Sequence, residues 1–170
     1  MNLARSGWRT RLCGLCALGG IAVALALGAP AAVAEPTEED PSASAKDPDY
    51  AAGKQAIENK NWAEALTRLR KALVRDPDNA DLHNYVGYAH RQLRQFELAF
   101  KHYEQALVLS PRHRGAHEYV GEAYLMTGNL AGAQKHLAAL REICLLPCEE
   151  LTDLEKAIAD YRARTTALPR

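Results

Sequence analysis

Two cysteines placed four residues apart are the residues in this sequence best suited to chemistry. Cys144 and Cys148 enclose residues 145–147, and such a thiol pair can bind Cu(I), exchange disulfides or form a structural disulfide. A zinc site would need two further Cys or His ligands, and thiol exchange normally uses two intervening residues. The pair therefore favours a disulfide, with a copper or zinc site or a thiol carrier left open.

The residues around the cysteines favour a local bridge. In an unbroken helix, residues four apart rise ~6 Å along the axis, which is too far for two Cβ atoms to approach well. Pro147 lacks a backbone N–H donor and ends a helix, so a tight turn is expected here. A bridge that closes so short a loop stabilises by about 2 kcal/mol.

The N-terminal segment, residues 1–34, has the composition of a secretory signal peptide. Three arginines precede an apolar run over residues 15–27, and small residues end at Ala34. The run falls short of the ~20 residues that a transmembrane helix needs. We therefore expect residues 1–34 to be removed, an exported and periplasmic protein with no membrane insertion after cleavage, and a disordered acidic linker over residues 35–45.

Export changes both the charge and the cysteine content. The chain has 21 Lys and Arg against 21 Asp and Glu, and cleavage leaves 18 basic residues against 21 acidic ones. A mildly acidic protein is a poor candidate for nucleic-acid binding. Cys13 and Cys16 leave with the signal peptide, so Cys144 and Cys148 are the thiols of the exported protein, in an oxidising compartment.

An internal repeat of constant length organises the remaining chain. Glycine, alanine and two large apolar positions recur with one and the same spacing, at Gly53, Gly87 and Gly121, at Ala65, Ala99 and Ala133, at Trp62, Phe96 and Leu130, and at Leu69, Tyr103 and Leu137. The period predicts two amphipathic helices per unit, joined by a short polar turn. We expect the glycine of the first helix to face the alanine of the second, and Pro77 and Pro111 to end second helices.

This pattern of small residues, an aromatic residue and a terminal proline resembles the tetratricopeptide repeat. The units are residues 46–79, 80–113 and 114–147. The resemblance implies an all-α fold, a right-handed α-solenoid of three helix pairs. Residues 148–165 are expected to form a C-terminal capping helix, because Leu151, Leu154 and Ile158 fall on the packing positions of a fourth first helix.

The resemblance also implies that the first helices line a concave groove that binds another protein or a peptide. The predicted groove residues are Tyr50, Lys54, Ile57, Asn84, Tyr88, Arg91, Glu118, Glu122 and Leu125. Tyrosine gives a large contact area at low entropic cost, although these tyrosines could equally pack between helices. Gly115 and Tyr119 stand where a carboxylate-binding clamp would have basic residues.

The histidines indicate packing more than chemistry. His113 and His117 have helical metal-ligand spacing, but Arg114 stands where a zinc protease has its glutamate. His83 and His117 share a repeat position and are expected to pack, whereas the matching pair on the second helices, His102 and His136, is expected to be solvated.

No phosphate-binding glycine loop, nucleophile elbow or carboxylate dyad occurs in the sequence. We therefore expect a scaffold or assembly factor of the bacterial cell envelope, without a cofactor or catalytic activity.

Overall fold

A computed structural model of the chain describes residues 47–166, so the predicted signal peptide and linker lie outside the described residues. Within them the chain forms seven α-helices and no strand. The helices are α1 (Pro48–Glu58), α2 (Trp62–Arg75), α3 (Ala80–Gln92), α4 (Phe96–Leu109), α5 (Arg114–Met126), α6 (Leu130–Ile143) and α7 (Glu149–Thr166).

The helices stack as consecutive pairs, which confirms the predicted all-α solenoid. Each helix packs on the next one along the chain, and the first helices of adjacent pairs also contact each other, α1 with α3, α3 with α5 and α5 with α7. Among the described helices, α2, α4 and α6 share no such contacts with one another. The first helices therefore line the inner side of the curve, and the second helices line the outer side.

The turn inside each pair has the same backbone conformation. Lys60, Arg94 and Gly128 occupy the same position in the three units, and their φ angles are 56°, 60° and 83°. Only glycine adopts this left-handed region without a steric cost from Cβ, so two of the three turns place an ordinary residue in a less favourable conformation.

Asparagine side chains start three of the helices. Asn61, Asn79 and Asn129 each accept a hydrogen bond from the backbone N–H three residues later, at the first turn of α2, α3 and α6. An N-cap of this kind satisfies a donor that the helix itself leaves without a partner. These caps fix where the helices begin.

The repeated glycines face large side chains, which the sequence did not predict, while at Gly87 the predicted alanine is also close, since an added Cβ atom would lie 3.2 Å from Ala99 O. A Cβ atom added to Gly53 would lie 2.6 Å from Leu69 Cγ, and one added to Gly87 would lie 2.7 Å from Tyr103 Cε1. At Gly121 the nearest side chain is Leu154 of the capping helix. The missing side chain therefore makes room for a leucine or tyrosine, because a Cβ atom does not tolerate neighbours closer than 3.0 Å.

The capping helix closes the apolar core at the C-terminal end. Leu154 and Ile158 of α7 are 0% and 3% exposed and form one cluster with residues of α5 and α6 that include Leu137 and Leu140. Arg141 on α6 pairs with Glu155 on α7 across 2.7 Å at the surface. The helix thus covers the face that the third pair would otherwise leave open.

None of the helices within residues 47–166 has both the length and the hydropathy to cross a membrane.

Candidate functional site, a cleft along the first helices

A cleft of about 870 Å³ lies at the N-terminal ends of α3, α5 and α7. These ends lie side by side because the three first helices stack in parallel along the inner side of the solenoid. The side chains that line the cleft include those of Asp81, Asn84, Tyr85, Arg114, Glu118, Tyr119, Glu149, Glu150 and Asp153.

The cleft is strongly acidic. Six carboxylates line it against two guanidinium groups, those of Arg112 and Arg114. Arg114 lies 3.5 Å from Glu150, and His113 donates a hydrogen bond to Asp81 across 2.9 Å. Two of the carboxylates therefore already have a partner. The hydrogen bond from His113 lowers the pKa of Asp81. The remaining negative charge is concentrated where α5 faces α7.

Glu118 stands at the centre of this negative charge. Burial raises the pKa of Glu118 to about 8, and the carboxylates of Glu122, Asp153 and Glu150 add to the shift. Asp153 and Glu150 belong to α7, so the two helices bring like charges together. A carboxyl group with such a pKa is mostly protonated at neutral pH, and a nearby cation would favour its ionised form.

Asn84 provides a second unusual feature in the same cleft. Its side chain is buried, since the residue is 4% exposed, and Oδ1 has no hydrogen-bond partner within residues 47–166. The absence of a side chain at Gly115 leaves space beside it, because a Cβ atom there would lie 3.3 Å from Asn84 Nδ2. A buried acceptor without a donor is uncommon in a folded protein.

Further along the helices, an aromatic and charged cluster connects the second and third pairs. The ring centroids of Tyr88 and Tyr119 lie 4.9 Å apart, and the guanidinium carbon of Arg91 lies 5.0 Å and 5.3 Å from them. Arg91 also pairs with Glu122. At 5% exposure, Arg91 is part of the interior of the array, and little of it is available to a partner.

A similar cluster connects the first two pairs. The rings of Tyr50 and Tyr85 meet edge to face with centroids 6.0 Å apart, and Lys54 Nζ lies 5.6 Å and 5.7 Å from the two rings. The tyrosines of the first helices therefore pack against one another, and partly exposed ones, such as Tyr85 and Tyr119, also line the cleft.

The predicted groove residues thus divide into separate environments. Asn84 and Glu118 line the cleft, whereas Tyr88, Arg91 and Glu122 form the aromatic cluster and Tyr50 and Lys54 the N-terminal one. Ile57 packs against the apolar core that α1, α2 and α3 form. Leu125 is 7% exposed and belongs to the core with Leu137, so it offers little surface to a partner. The binding role of these residues stays a prediction.

Sequence reasoning missed the column of residues immediately after the predicted one. Tyr85 and Tyr119 occupy the same position in the second and third units, Asp153 occupies it in the capping helix, and all three line the cleft. This recurrence was visible in the sequence. The capping helix also contributes to the cleft through Glu149 and Glu150, which the predicted groove did not include.

The histidines form two matching pairs, and the expectation that His102 and His136 are solvated is wrong. His83 Nε2 donates to Pro77 O across 2.9 Å, and Nδ1 of His83 lies 3.1 Å from Nδ1 of His102. His117 and His136 repeat this arrangement with an Nδ1 to Nδ1 distance of 3.0 Å. Burial and neighbouring positive charge lower the pKa of both His102 and His136 to about 4.

His113 and His117 have separate partners. His113 accepts from the backbone of Ala116 and donates to Asp81, while His117 bonds to Pro111 O and His136. Residues 47–166 contain no group of three or more His, Cys, Asp or Glu side chains placed to hold a metal ion.

The two cysteines lie at the corner between α6 and α7. Their Cα atoms are 6.1 Å apart, within the range that a disulfide spans. Leu145 and Leu146 between them are 91% and 79% exposed. The corner is thus compatible with the predicted bridge, whose presence in the protein stays a prediction.

Comparison with known proteins agrees with this architecture. The tetratricopeptide repeat family model matches residues 50–111 and 87–143. No curated protein matches the chain in sequence.

Three solved structures have a similar fold. The TPR2B domain of yeast Sti1, in a complex with pHsp70, has a TM-score of 0.63 at 17% identity and covers 68% of this chain and 94% of its own. The type III secretion translocator chaperone SycD of Yersinia enterocolitica has a TM-score of 0.62 at 19% identity, and the match covers 69% of this chain and 91% of SycD. The first TPR of Spaghetti (RPAP3), bound to an HSP90 peptide, has a TM-score of 0.57 at 23% identity, and the match covers 65% of this chain and 89% of the RPAP3 chain. With the family model matched over most of the described helices, the chain belongs to the tetratricopeptide repeat family.

Proposed function

We propose that this protein is a non-enzymatic scaffold or assembly factor that binds another protein or a peptide in the cleft of its first helices. The observation that carries the proposal is the cleft itself, in which the partly exposed Tyr85 and Tyr119 lie beside carboxylates and beside Asn84, whose Oδ1 has no partner among residues 47–166. Such a mixture of aromatic surface and a few polar groups suits a polypeptide partner.

The structural relatives support a polypeptide partner. The Sti1 domain is in complex with pHsp70, the RPAP3 repeat is bound to an HSP90 peptide, and SycD is a translocator chaperone. None of them identifies the partner of this chain, because their identities of 17% to 23% speak only for the fold.

We further propose that the protein works after export, in the bacterial cell envelope and its periplasm. The N-terminal sequence supports export, and an oxidising compartment would let Cys144 and Cys148 form a disulfide at the α6–α7 corner. Such a bridge would hold the capping helix, and with it Glu149, Glu150 and Asp153, in place at one end of the cleft.

Affinity capture tests the proposed binding site. The tagged protein is purified from its own cell envelope, and the partners are quantified by mass spectrometry. We expect Tyr119→Ala to lose partners that the unaltered protein captures, while Val108→Ala, at a 68%-exposed position of α4, keeps them. Equal recovery of every partner with both variants would show that the cleft is not the binding site.

The alternative function is a periplasmic carrier of copper or zinc, or of thiols, that uses the cysteine pair. Intact mass spectrometry after alkylation without reductant separates the two functions. We expect a chain that begins at Glu35 and carries no alkyl group on Cys144 or Cys148. Two alkylated cysteines in a protein that purifies with copper or zinc would instead establish the carrier.

A further inference from the structure

We propose that the acidic end of the cleft receives a lysine or arginine side chain of the partner, held between Glu118 of α5 and Asp153 of α7. This inference rests on the proposed function, because it names the chemistry of the segment that the same cleft would bind. It requires that negative charge, an open cavity and a hydrogen-bond acceptor coincide there.

The charge of the cleft selects for a cation. Asp81 and Glu150 already have a histidine or arginine within 3.5 Å, and Asp76 accepts a hydrogen bond from Asn79. The other three carboxyl groups, those of Glu118, Glu149 and Asp153, form no ion pair within the described part of the chain. Carboxyl groups gathered around one cavity disfavour one another's ionisation, and the ionised ones would repel an acidic peptide. A cationic side chain would neutralise them, so charge complementarity decides which class of partner can enter.

The electrostatic surroundings of Glu118 also favour a cationic side chain of the partner. Its pKa is raised by burial and by Glu122, Asp153 and Glu150, and Arg91, the cation that opposes this shift, already pairs with Glu122. A lysine or arginine of the partner would supply the positive charge that Glu118 lacks. Binding would then release the proton that Glu118 holds at neutral pH.

Two further features fit a cationic side chain. Asn84 lines the same cleft with a buried Oδ1 that has no donor among the described residues, and both ammonium and guanidinium groups are rich in N–H donors. Tyr85 and Tyr119 also line it, and the face of an aromatic ring attracts a cation. An acidic cluster alone would not specify a ligand, but here it coincides with a cavity, aromatic rings and an unsatisfied acceptor.

The acidic segment of this chain over residues 35–45 is a poor occupant for the same reason. Four of its eleven residues are Glu or Asp and none is Lys or Arg. Like charges on the segment and the cleft disfavour their association. The structure therefore points to a separate, basic segment.

Selection from a phage-displayed library of random dodecapeptides tests the inference with the purified exported protein. We expect the selected peptides to be enriched in lysine and arginine relative to the unselected library. Selected peptides with no basic bias, or with an acidic bias, would overturn the inference and leave the proposed peptide-binding function intact. If no peptide were selected, both would be contradicted.

Variants then locate the site. Binding of one selected peptide, labelled with fluorescein, is measured by anisotropy, and we expect Glu118→Gln with Asp153→Asn to weaken it by about tenfold or more. The matched control is Glu97→Gln with Glu104→Gln, which likewise replaces two carboxyl groups by amides, at exposed positions of α4 outside the cleft. Equal affinity for the two double variants would exclude the acidic end of the cleft as the site.

The cleft variant should remain folded, because removal of repelling carboxylates stabilises the array. Circular dichroism of both double variants checks this. As a second measure, replacement of each lysine and arginine of the peptide by glutamine should reduce its affinity for the unaltered protein to that seen with the cleft variant. Unchanged affinity of the neutral peptide would contradict the proposal.

Discussion

The guanidinium of Arg91 on α3 pairs with the carboxylate of Glu122 on α5, so the two residues join the second and third helix pairs from the inner side of the solenoid. The side chain of Arg91 is 6% exposed and that of Glu122 is 27% exposed. Tyr88 and Tyr119 enclose the guanidinium. Both residues were predicted to contact a partner, yet their geometry makes them part of the structure that shapes the cleft.

The Arg91–Glu122 pair should therefore contribute to stability. We expect Arg91→Met to lower the free energy of unfolding by roughly 2–4 kcal/mol, because it leaves a half-buried carboxylate without its partner. Combining it with Glu122→Gln should cost less than the sum of the two single changes. Urea unfolding of the four proteins measures this coupling.

The exposed pair Arg141–Glu155 is the matched control for this double-mutant cycle. Its side chains are 61% and 46% exposed, and water and salt screen the interaction. The same cycle there, with Arg141→Met and Glu155→Gln, should show a coupling of about 0.5 kcal/mol or less. A coupling at Arg91–Glu122 no larger than this would mean that the buried pair is not a structural link.

Glu118 should make the protein less stable as the pH rises. Its pKa is about 8 in the folded protein against an ordinary value of 4.5, so the folded state holds the proton more tightly. Its contribution is fully present below pH 4.5 and is lost as the pH rises through about 8. We expect Glu118→Gln to match the unaltered protein in melting temperature near pH 4 and to exceed it at pH 9. A difference that does not grow with pH would contradict this electrostatic environment.

The two histidine pairs should have the opposite effect at low pH. His102 and His136 have pKa values of about 4 when folded against 6.5 ordinarily, so the unfolded chain binds protons that the folded one excludes. The free energy of unfolding should therefore fall as the pH drops from about 6.5 to 4. Urea titrations in the Glu118→Gln background, which removes the opposing contribution of that carboxyl, measure the slope.

Variants of the histidines test whether His102 and His136 cause this dependence of the free energy of unfolding on pH. His102→Gln combined with His136→Gln should flatten it, whatever their effect on stability at pH 7.5. The slope is the informative quantity, because loss of a hydrogen bond alone would lower stability equally at each pH. An unchanged slope in the double variant would show that other groups take up the protons.

The helix pairs could be predicted from the sequence because small residues at a fixed period fix where helices approach each other. Gly53 and Gly87 identified the tight contacts correctly, but the facing residues, Leu69 and Tyr103, depend on how the second helix rotates about its own axis. That rotation follows from the packing of the whole array and is not encoded in one position.

The site was predicted less completely than the fold, for a related reason. The predicted groove followed one line of residues along each first helix, whereas the cleft is lined by two adjacent lines and therefore includes Tyr85 and Tyr119. The Arg91–Glu122 pair joins residues from different repeats, and the burial of His102 depends on its contact with His83. Such contacts between helices are visible only after the units are stacked.

Site-specific photo-crosslinking in the living cell tests the binding role of the cleft most directly. The photoreactive amino acid p-benzoylphenylalanine is placed at Tyr119 in the cleft or, as a control, at Val108 on the outer side, and adducts are detected by a shift in mass. We predict a discrete protein adduct from position 119 and none from position 108. Adducts that form at position 108 but not at position 119 would contradict binding in the cleft.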